Sequence, residues 1–298
     1  MVRSLGADSC SALLVTCSCL ASRLEAVNTP ALVVIELASL AEVDASPERI
    51  PGSIRTWRPA YQQEITELQP LDGLRPLTDD FTSFAQQLGI DDDTEVVIVD
   101  RKYDATRLWW LFVLHGKRDV MVLDGGYLAW QAGGWPMSIE RPVVERRGRW
   151  VADPPRRSFV AEREDVERLS TMSAARLWDV RSVDEYSGAC VMPGALCGGR
   201  IPWASARLDW NLFRESDGLW LDVAEVRGLA RKHLDLAPDD DDVHTFYCQS
   251  AVRTTQLIFA LHRAGWPLER LRNYDGSWVE WSHMAGEDDV LVGPPSRL

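Results

Sequence analysis

Short apolar runs alternate with longer stretches of helical periodicity along the chain. Val96 to Val99 is an unbroken apolar run of strand length, Arg107 to His115 carries apolar residues at helical spacing, Val120 to Leu123 is a second short run, and Tyr127 to Ala132 opens another helical stretch. This order predicts βαβ units, and therefore a parallel sheet with helices on both faces. The second half returns to the same order. Val243, Phe246 and Tyr247 supply β-branched and aromatic residues for a short buried strand, and Thr255, Ile258, Phe259, Leu261 and His262 recur at helical spacing after it.

The two halves repeat a set of landmarks. Val34-Ile-Glu-Leu-Ala38 matches Leu177-Trp-Asp-Val-Arg181, and Pro51-Gly-Ser-Ile54 matches Pro193-Gly-Ala-Leu196. Phe112-Val-Leu-His115 matches Phe259-Ala-Leu-His262, and Asp124-Gly-Gly-Tyr-Leu-Ala-Trp130 matches Asp275-Gly-Ser-Trp-Val-Glu-Trp281. Aspartate runs, Asp91 to Asp93 and Asp239 to Asp242, precede corresponding strands and read as solvated turns. Between the halves, Glu140 to Arg157 is rich in proline and charge and lacks periodicity, which marks a linker.

Composition narrows the classes. A chain of 298 residues holds two domains of ordinary size, and no apolar run approaches the roughly 20 residues a membrane-spanning helix needs. The net charge of −13 argues against nucleic acid and anionic membrane as partners, and any anion site must be local. Thirteen tryptophans are read first as core packing. The six cysteines, at 10, 17, 19, 190, 197 and 248, show neither a CxxC pair nor framework spacing, so neither a zinc site nor a disulfide scaffold is expected and a reducing, cytoplasmic setting fits. The run Ser11 to Cys17 is read as domain structure and not as a signal peptide.

The candidate chemistry sits at Cys248. A cysteine between a strand's carboxyl end and a helix's amino end faces unpaired backbone N–H groups and the positive end of the helix dipole, a setting that binds anions and favours a thiolate. Gln249, Ser250, Ala251 and Val252 can turn their amides inward as a nest, and Arg253 ends the loop with a fixed positive charge. The alternative is a buried cysteine acting as a small hydrophobe.

Two α/β halves, a cysteine loop only in the second, and the landmarks Asp179-Val-Arg181 through Glu185-Tyr186, Pro193-Gly-Ala195 and Tyr274-Asp-Gly-Ser-Trp278 together resemble the tandem-domain rhodanese family of thiosulfate and 3-mercaptopyruvate sulfurtransferases, over about residues 11 to 285. The resemblance implies an α/β fold of two rhodanese-like domains, each a mostly parallel sheet with helices on both faces. It divides the chain into a catalytically silent domain over 11–140, a linker over 141–160 and a catalytic domain over 161–288. Asp100 or Arg101 stands near the repeat position of Cys248, and Ala38 stands where the second half has Arg181, so the first half is expected to be a structural partner lining a cleft.

The resemblance also implies the reaction. Cys248 would take a sulfane sulfur from thiosulfate as a persulfide and pass it to cyanide or a thiol. Substrate-binding candidates are Gln249, Ser250, Ala251, Val252, Arg253 and Arg181. Arg253 either pairs with the leaving anion or braces the loop, and Arg181 is either a partner of Asp179 or Glu185 or a substrate ligand. Ser250 either polarises a carbonyl, as 3-mercaptopyruvate would require, or caps the following helix. Trp203 and Trp278 either wall the cleft or pack in the core. The chain departs from the family pattern at Gln249-Ser250, at Ala251 where glycine is common, at Glu185 where vertebrate-like members have an arginine, and in the extra residues of Cys190 to Trp203. Cys-Gln-x-x-x-Arg loops occur among bacterial tandem rhodaneses, which puts thiosulfate ahead of 3-mercaptopyruvate. A phosphatase needs one more residue between Cys and Arg, and a binding module without turnover has no use for Cys248. No metal or organic cofactor is implied. The expected partners are a small-molecule sulfur donor and acceptor, with a thiol protein as another acceptor, no nucleic acid and no membrane, for a monomer.

Overall fold

Two five-stranded parallel sheets, one in each half of the chain, carry the architecture of this computed structural model. It describes residues 13–26, 31–39, 48–66, 71–101, 103–172 and 176–294. In the first unit, β1 (Leu14–Val15), α1 (Cys17–Glu25), β2 (Leu32–Leu37), β3 (Ile54–Thr56), α2 (Thr78–Gln87), β4 (Glu95–Val99), α3 (Ala105–Leu114), β5 (Val120–Leu123) and α4 (Gly126–Ala132) form a sheet of order β1-β5-β4-β2-β3. The second unit has β6 (Val160–Ala161), α5 (Arg163–Leu169), β7 (Leu177–Asp179), α6 (Val183–Ser187), β8 (Ala206–Arg207), α7 (Val223–Leu234), β9 (His244–Tyr247), α8 (Arg253–Arg263), β10 (Leu271–Tyr274) and α9 (Ser277–Met284). Its sheet runs β6-β10-β9-β7-β8, the same order at the same places.

The expected elements are present within a residue or two. Buried on both faces, β4 pairs with β2 from Leu32 opposite Glu95 to Glu36 opposite Val99, and the four residues Val96 to Val99 are fully buried. That explains why the run is apolar without alternation. The helix after it, α3, is buried almost all round, with Trp109 and Trp110 inaccessible. In the second unit β7 leads the chain towards β8 at one edge, whereas its neighbour β9 leads towards β10 on the other side. Such a reversal opens a crevice at the carboxyl ends of the two strands, where ligands of α/β sheets bind.

The units exchange short segments in sequence. Gln62–Arg75 belongs to the second unit, and Arg214–Trp220 to the first. Arg75 is held by the second unit through its backbone N–H to Asp275 Oδ2 (2.8 Å) and its guanidinium to Glu162 (2.6 Å). The proline-rich stretch after Glu140 is not slack. Gly148, Trp150 and Asp153 donate backbone hydrogen bonds to Gln86, Ile90 and His115, and Trp150 packs edge-on against Phe81. Three of its backbone N–H groups are therefore satisfied by the first unit. The run after Ser11 enters β1 and α1.

Cys17, Cys190, Cys197 and Cys248 are free thiols. Cys19 is disulfide-bonded. Among the described residues no helix is long and apolar enough to cross a membrane.

One buried pair makes stability depend on pH. Trp178 Nε1 donates to His244 Nδ1 at 2.9 Å, with the two rings stacked 5.9 Å apart, so the imidazole must be neutral to accept. Burial, with the nearby charge of Arg176, pushes the His244 pKa down to about 4. A lowered folded-state value contributes stability that is complete above the ordinary value of about 6.5 and is lost as pH falls towards 4. The contribution is about 3 kcal/mol. Urea unfolding from pH 7 to pH 4 should show this loss, and His244→Gln should flatten it; an unchanged slope in the variant would assign the acid sensitivity elsewhere.

Candidate active site

Cys248 follows β9, and α8 begins five residues later at Arg253, so the cysteine lies on the strand-to-helix turn that periodicity predicts. Its side chain is buried, at 1% exposure. The turn is held from beneath by a residue 29 positions further on. Ser277 Oγ accepts the Cys248 N–H (3.2 Å) and the Ala251 N–H (3.1 Å) and donates to the Tyr274 carbonyl (2.8 Å). The first turn of α9 adds two more ties, Trp278 N–H to Cys248 O (2.9 Å) and Val279 N–H to Gln249 O (3.0 Å).

Ser277 divides the expected nest of amides. Those of Cys248 and Ala251 are spent on its hydroxyl, and those of Gln249 and Val252 have no acceptor among the described residues. The Gln249 side chain turns away, its Nε2 donating to Pro193 O (3.1 Å). Ala251 has φ +54°, a left-handed conformation that costs a residue with a Cβ about 1–2 kcal/mol. Ser277 and Asn273 Nδ2, which donates to Ala251 O (3.3 Å), hold it there. The departure from glycine at this position is thus a strained fit.

Both arginines pair with carboxylates. Arg253 sets its two prongs on Glu185, Nη1 to Oε2 (2.8 Å) and Nη2 to Oε1 (2.7 Å). Glu185 also closes the capping box of α6, accepting the Ser182 N–H (3.1 Å) while Ser182 Oγ accepts the Glu185 N–H. Burial alone would raise the Glu185 pKa; the hydrogen bonds and charge of Arg253, with Ser182, reverse this and hold it down at about 2. Arg181, 1% exposed, is chelated by Asp179 through Nε and Nη2, donates to Gly199 O (2.7 Å), and lies 4.3 Å above the Trp278 ring. Each guanidinium is engaged by a carboxylate, the arrangement that support of the loop requires. Trp278 Nε1 donates to Cys197 O and Trp203 Nε1 to Val166 O; Trp278 is in the core, and Trp203 is half-buried against it.

Comparison with known proteins identifies the arrangement. A rhodanese-like domain matches twice, at residues 22–133 and 162–284. The chain belongs to the tandem-domain rhodanese family. It is 32% identical over 242 residues to the sulfur carrier protein TtuD of Thermus thermophilus, covering 77% of this chain and 79% of that one. It is 34% identical over 254 residues to the thiosulfate sulfurtransferase of Corynebacterium glutamicum, covering 79% and 77%. Among solved structures, the Tum1 protein of Saccharomyces cerevisiae superposes with a TM-score of 0.76 at 18% identity, covering 95% of this chain and 98% of that one. A variant of EanB in complex with ergothioneine gives 0.79 at 22%, covering 95% and 70%. This rhodanese is a sulfurtransferase.

The first half of the rhodanese shows what stands in the place of the thiol. Tyr127 N–H donates to Asp100 O (2.8 Å) as Trp278 N–H does to Cys248 O, and α3 starts five residues after Asp100 as α8 does after Cys248. Asp100 therefore occupies the cysteine's place in a loop of equal length. Its Oδ2 accepts the Ala105 N–H at the start of the helix (2.7 Å). Arg101 takes over the part of Arg181: it pairs with Glu36 (3.1 Å) and lies 3.5 Å above the Tyr127 ring, as Arg181 does with Asp179 and Trp278.

The role of Ser277 was missed in the sequence, where Tyr274-Asp-Gly-Ser-Trp278 stood out only as a landmark. Leaving a buried N–H without an acceptor costs about 1–3 kcal/mol. Ser277→Ala strips two at once and should lower both unfolding free energy and kcat, with far-UV circular dichroism unchanged. A variant with wild-type kcat would remove Ser277 from the loop's support.

Proposed function

We propose that this sulfurtransferase carries sulfur from thiosulfate to cyanide or a thiol on Cys248. The observation that carries the reading is the paired geometry of the two loops. Where the second half has a thiol, the first has a carboxylate, and that carboxylate receives the N–H at the helix start. The turn thus directs a helix-start N–H at an acceptor on its first residue, and a Cys248 thiolate or its persulfide is an acceptor at the same place.

The thiolate attacks the outer sulfur of thiosulfate. A Cys248–sulfur bond forms, and the sulfur–sulfur bond of the donor breaks with its electron pair leaving on sulfite. In the second step cyanide or a thiolate attacks the outer sulfur of the persulfide, and the pair returns to Cys248. The amides of Gln249 and Val252 are the donors left for the outer sulfur. Thiosulfate is preferred over 3-mercaptopyruvate because relatives at about 30% identity are named thiosulfate sulfurtransferases.

The test is steady-state transfer to cyanide from each donor. A kcat/KM higher for thiosulfate supports the reading; a higher value for 3-mercaptopyruvate overturns the choice of donor. Cys190→Ser and Cys197→Ser should retain activity, since burial pushes the Cys197 thiol up and neither residue lies on a strand-to-helix turn. Loss of transfer in either would reveal a second working thiol.

A further inference from the structure

Arg49 and Arg200 make the same isolated bridge in their units, to Ser138 and Leu291, and each is followed by a fully buried isoleucine, Ile50 or Ile201, and then a proline. Pro51 therefore corresponds to Pro202, which corrects the match of Pro51-Gly with Pro193-Gly drawn from the sequence. The chain takes 12 positions from Leu37, the end of β2, to Arg49, but 21 from Asp179, the end of β7, to Arg200. The second unit thus carries an insertion after β7, whose carboxyl end borders the crevice.

Two glycines mark off residues 189–198. Gly188 and Gly199 both donate to the Glu185 carbonyl, at 3.3 and 3.4 Å. Both have left-handed φ, +85° and +118°, and a Cβ on Gly188 would lie 3.2 Å from the Gly199 nitrogen, so the insertion leaves the unit and returns at one narrow neck. Val191 and Leu196 stand exposed on it, at 52% and 67%, so it adds little to the core. What it touches is the surround of the nucleophile. Gln249, next to Cys248, donates from Nε2 to Pro193 O (3.1 Å), and Trp278, whose N–H holds Cys248 O, donates from Nε1 to Cys197 O (2.9 Å). Further along α9, Ser282 Oγ accepts the Leu196 N–H (3.1 Å) and His283 Nε2 donates to Gly194 O (2.9 Å).

Cys248 is 1% exposed, so a substrate reaches the thiol only where part of that surround gives way. The strand and the helices beside it are packed in the core, whereas the insertion is held by its neck and by hydrogen bonds. One of those bonds is a weak latch. Gln249 Oε1 is buried without a donor among the described residues, so the closed position leaves half of this amide unsatisfied and opening relieves it.

We propose that residues 189–198 set the size of the sulfur acceptor, passing compact thiols and cyanide to Cys248 and keeping out a thiol as large as a tripeptide. The proposal rests on Cys248 as the thiol that carries the sulfur. The acceptor thiolate attacks the outer sulfur of the persulfide, giving an acceptor persulfide and the Cys248 thiolate. A second acceptor thiol then forms the acceptor disulfide and releases hydrosulfide.

Sulfide release from thiosulfate with glutathione and with 2-mercaptoethanol tests it, because the ratio of the two kcat/KM values cancels their intrinsic chemistry when proteins are compared. Deleting residues 189–198 joins Gly188 to Gly199, which already approach each other. The deletion should raise the ratio of glutathione to 2-mercaptoethanol about tenfold or more and leave kcat/KM for 2-mercaptoethanol within about threefold. His283→Ala removes one tie at an exposed residue and should raise the ratio about two- to threefold. Melting curves report folding, and if the deletion does not fold, His283→Ala decides. An unchanged ratio in the deciding variant would overturn the proposal, as would an equal fall for both thiols. A wild type that forms no persulfide on Cys248 from thiosulfate would overturn the reading beneath it as well, and mass spectrometry separates that failure from an unmoved ratio.

Discussion

Cys248→Ser is expected to lower sulfur transfer by at least about three orders of magnitude, because removing a covalent nucleophile removes the intermediate and not only an interaction. The protein should still fold. Serine is nearly isosteric, and the ties that shape the turn run through backbone atoms of residue 248, its N–H to Ser277 Oγ and its carbonyl to Trp278 N–H. Matching circular dichroism with residual turnover near the uncatalysed rate is the expected pair of results. Turnover within about tenfold of wild type would remove Cys248 from the reaction.

Arg253→Ala carries the second large effect, and it falls on stability as well as rate. Arg253 and Glu185 are 15% and 5% exposed, and breaking a buried pair by deleting one partner costs about 3–5 kcal/mol because the other charge stays uncompensated. The remaining Glu185 still holds the α6 cap, so the cost appears at the start of α8 and in the loop before it. Arg253→Lys should recover only part of it, since a point charge cannot match both carboxylate oxygens. Glu185 also sets an acid limit. Its depressed pKa contributes stability present above about 4.5 and lost as pH falls towards 2, and Arg253→Ala should remove that dependence. Chemical unfolding of the three proteins at pH 7 and pH 3 separates these outcomes; an Arg253→Ala variant as stable as wild type would mean that the pair does not brace the loop.

The fold was legible because its signals are local or repeated. Unbroken apolar runs such as Val96 to Val99 belong to strands buried on both faces, and the matched positions His115 and His262 both turn out to bond backbone carbonyls, those of Asp153 and Trp266. Cys248 was legible for the same reason, since a strand, a turn and a helix are read within one short window. What supports the cysteine was not. Ser277 reaches the loop across 29 residues and Glu185 reaches Arg253 across 68, and no periodicity encodes a contact at that separation. The exchange of parts between halves was hidden too. Ala38 marks a lost arginine, but only the structure shows Arg101 standing over Tyr127 in its stead. The disulfide at Cys19 left no spacing signal.

Mass spectrometry of the protein after incubation with thiosulfate tests the central claim most directly. The account predicts one added sulfur atom per chain, found on the peptide that contains Cys248, and its loss as thiocyanate when cyanide is added. No added sulfur, or sulfur found on Cys17, Cys190 or Cys197 with Cys248 unmodified, would contradict it.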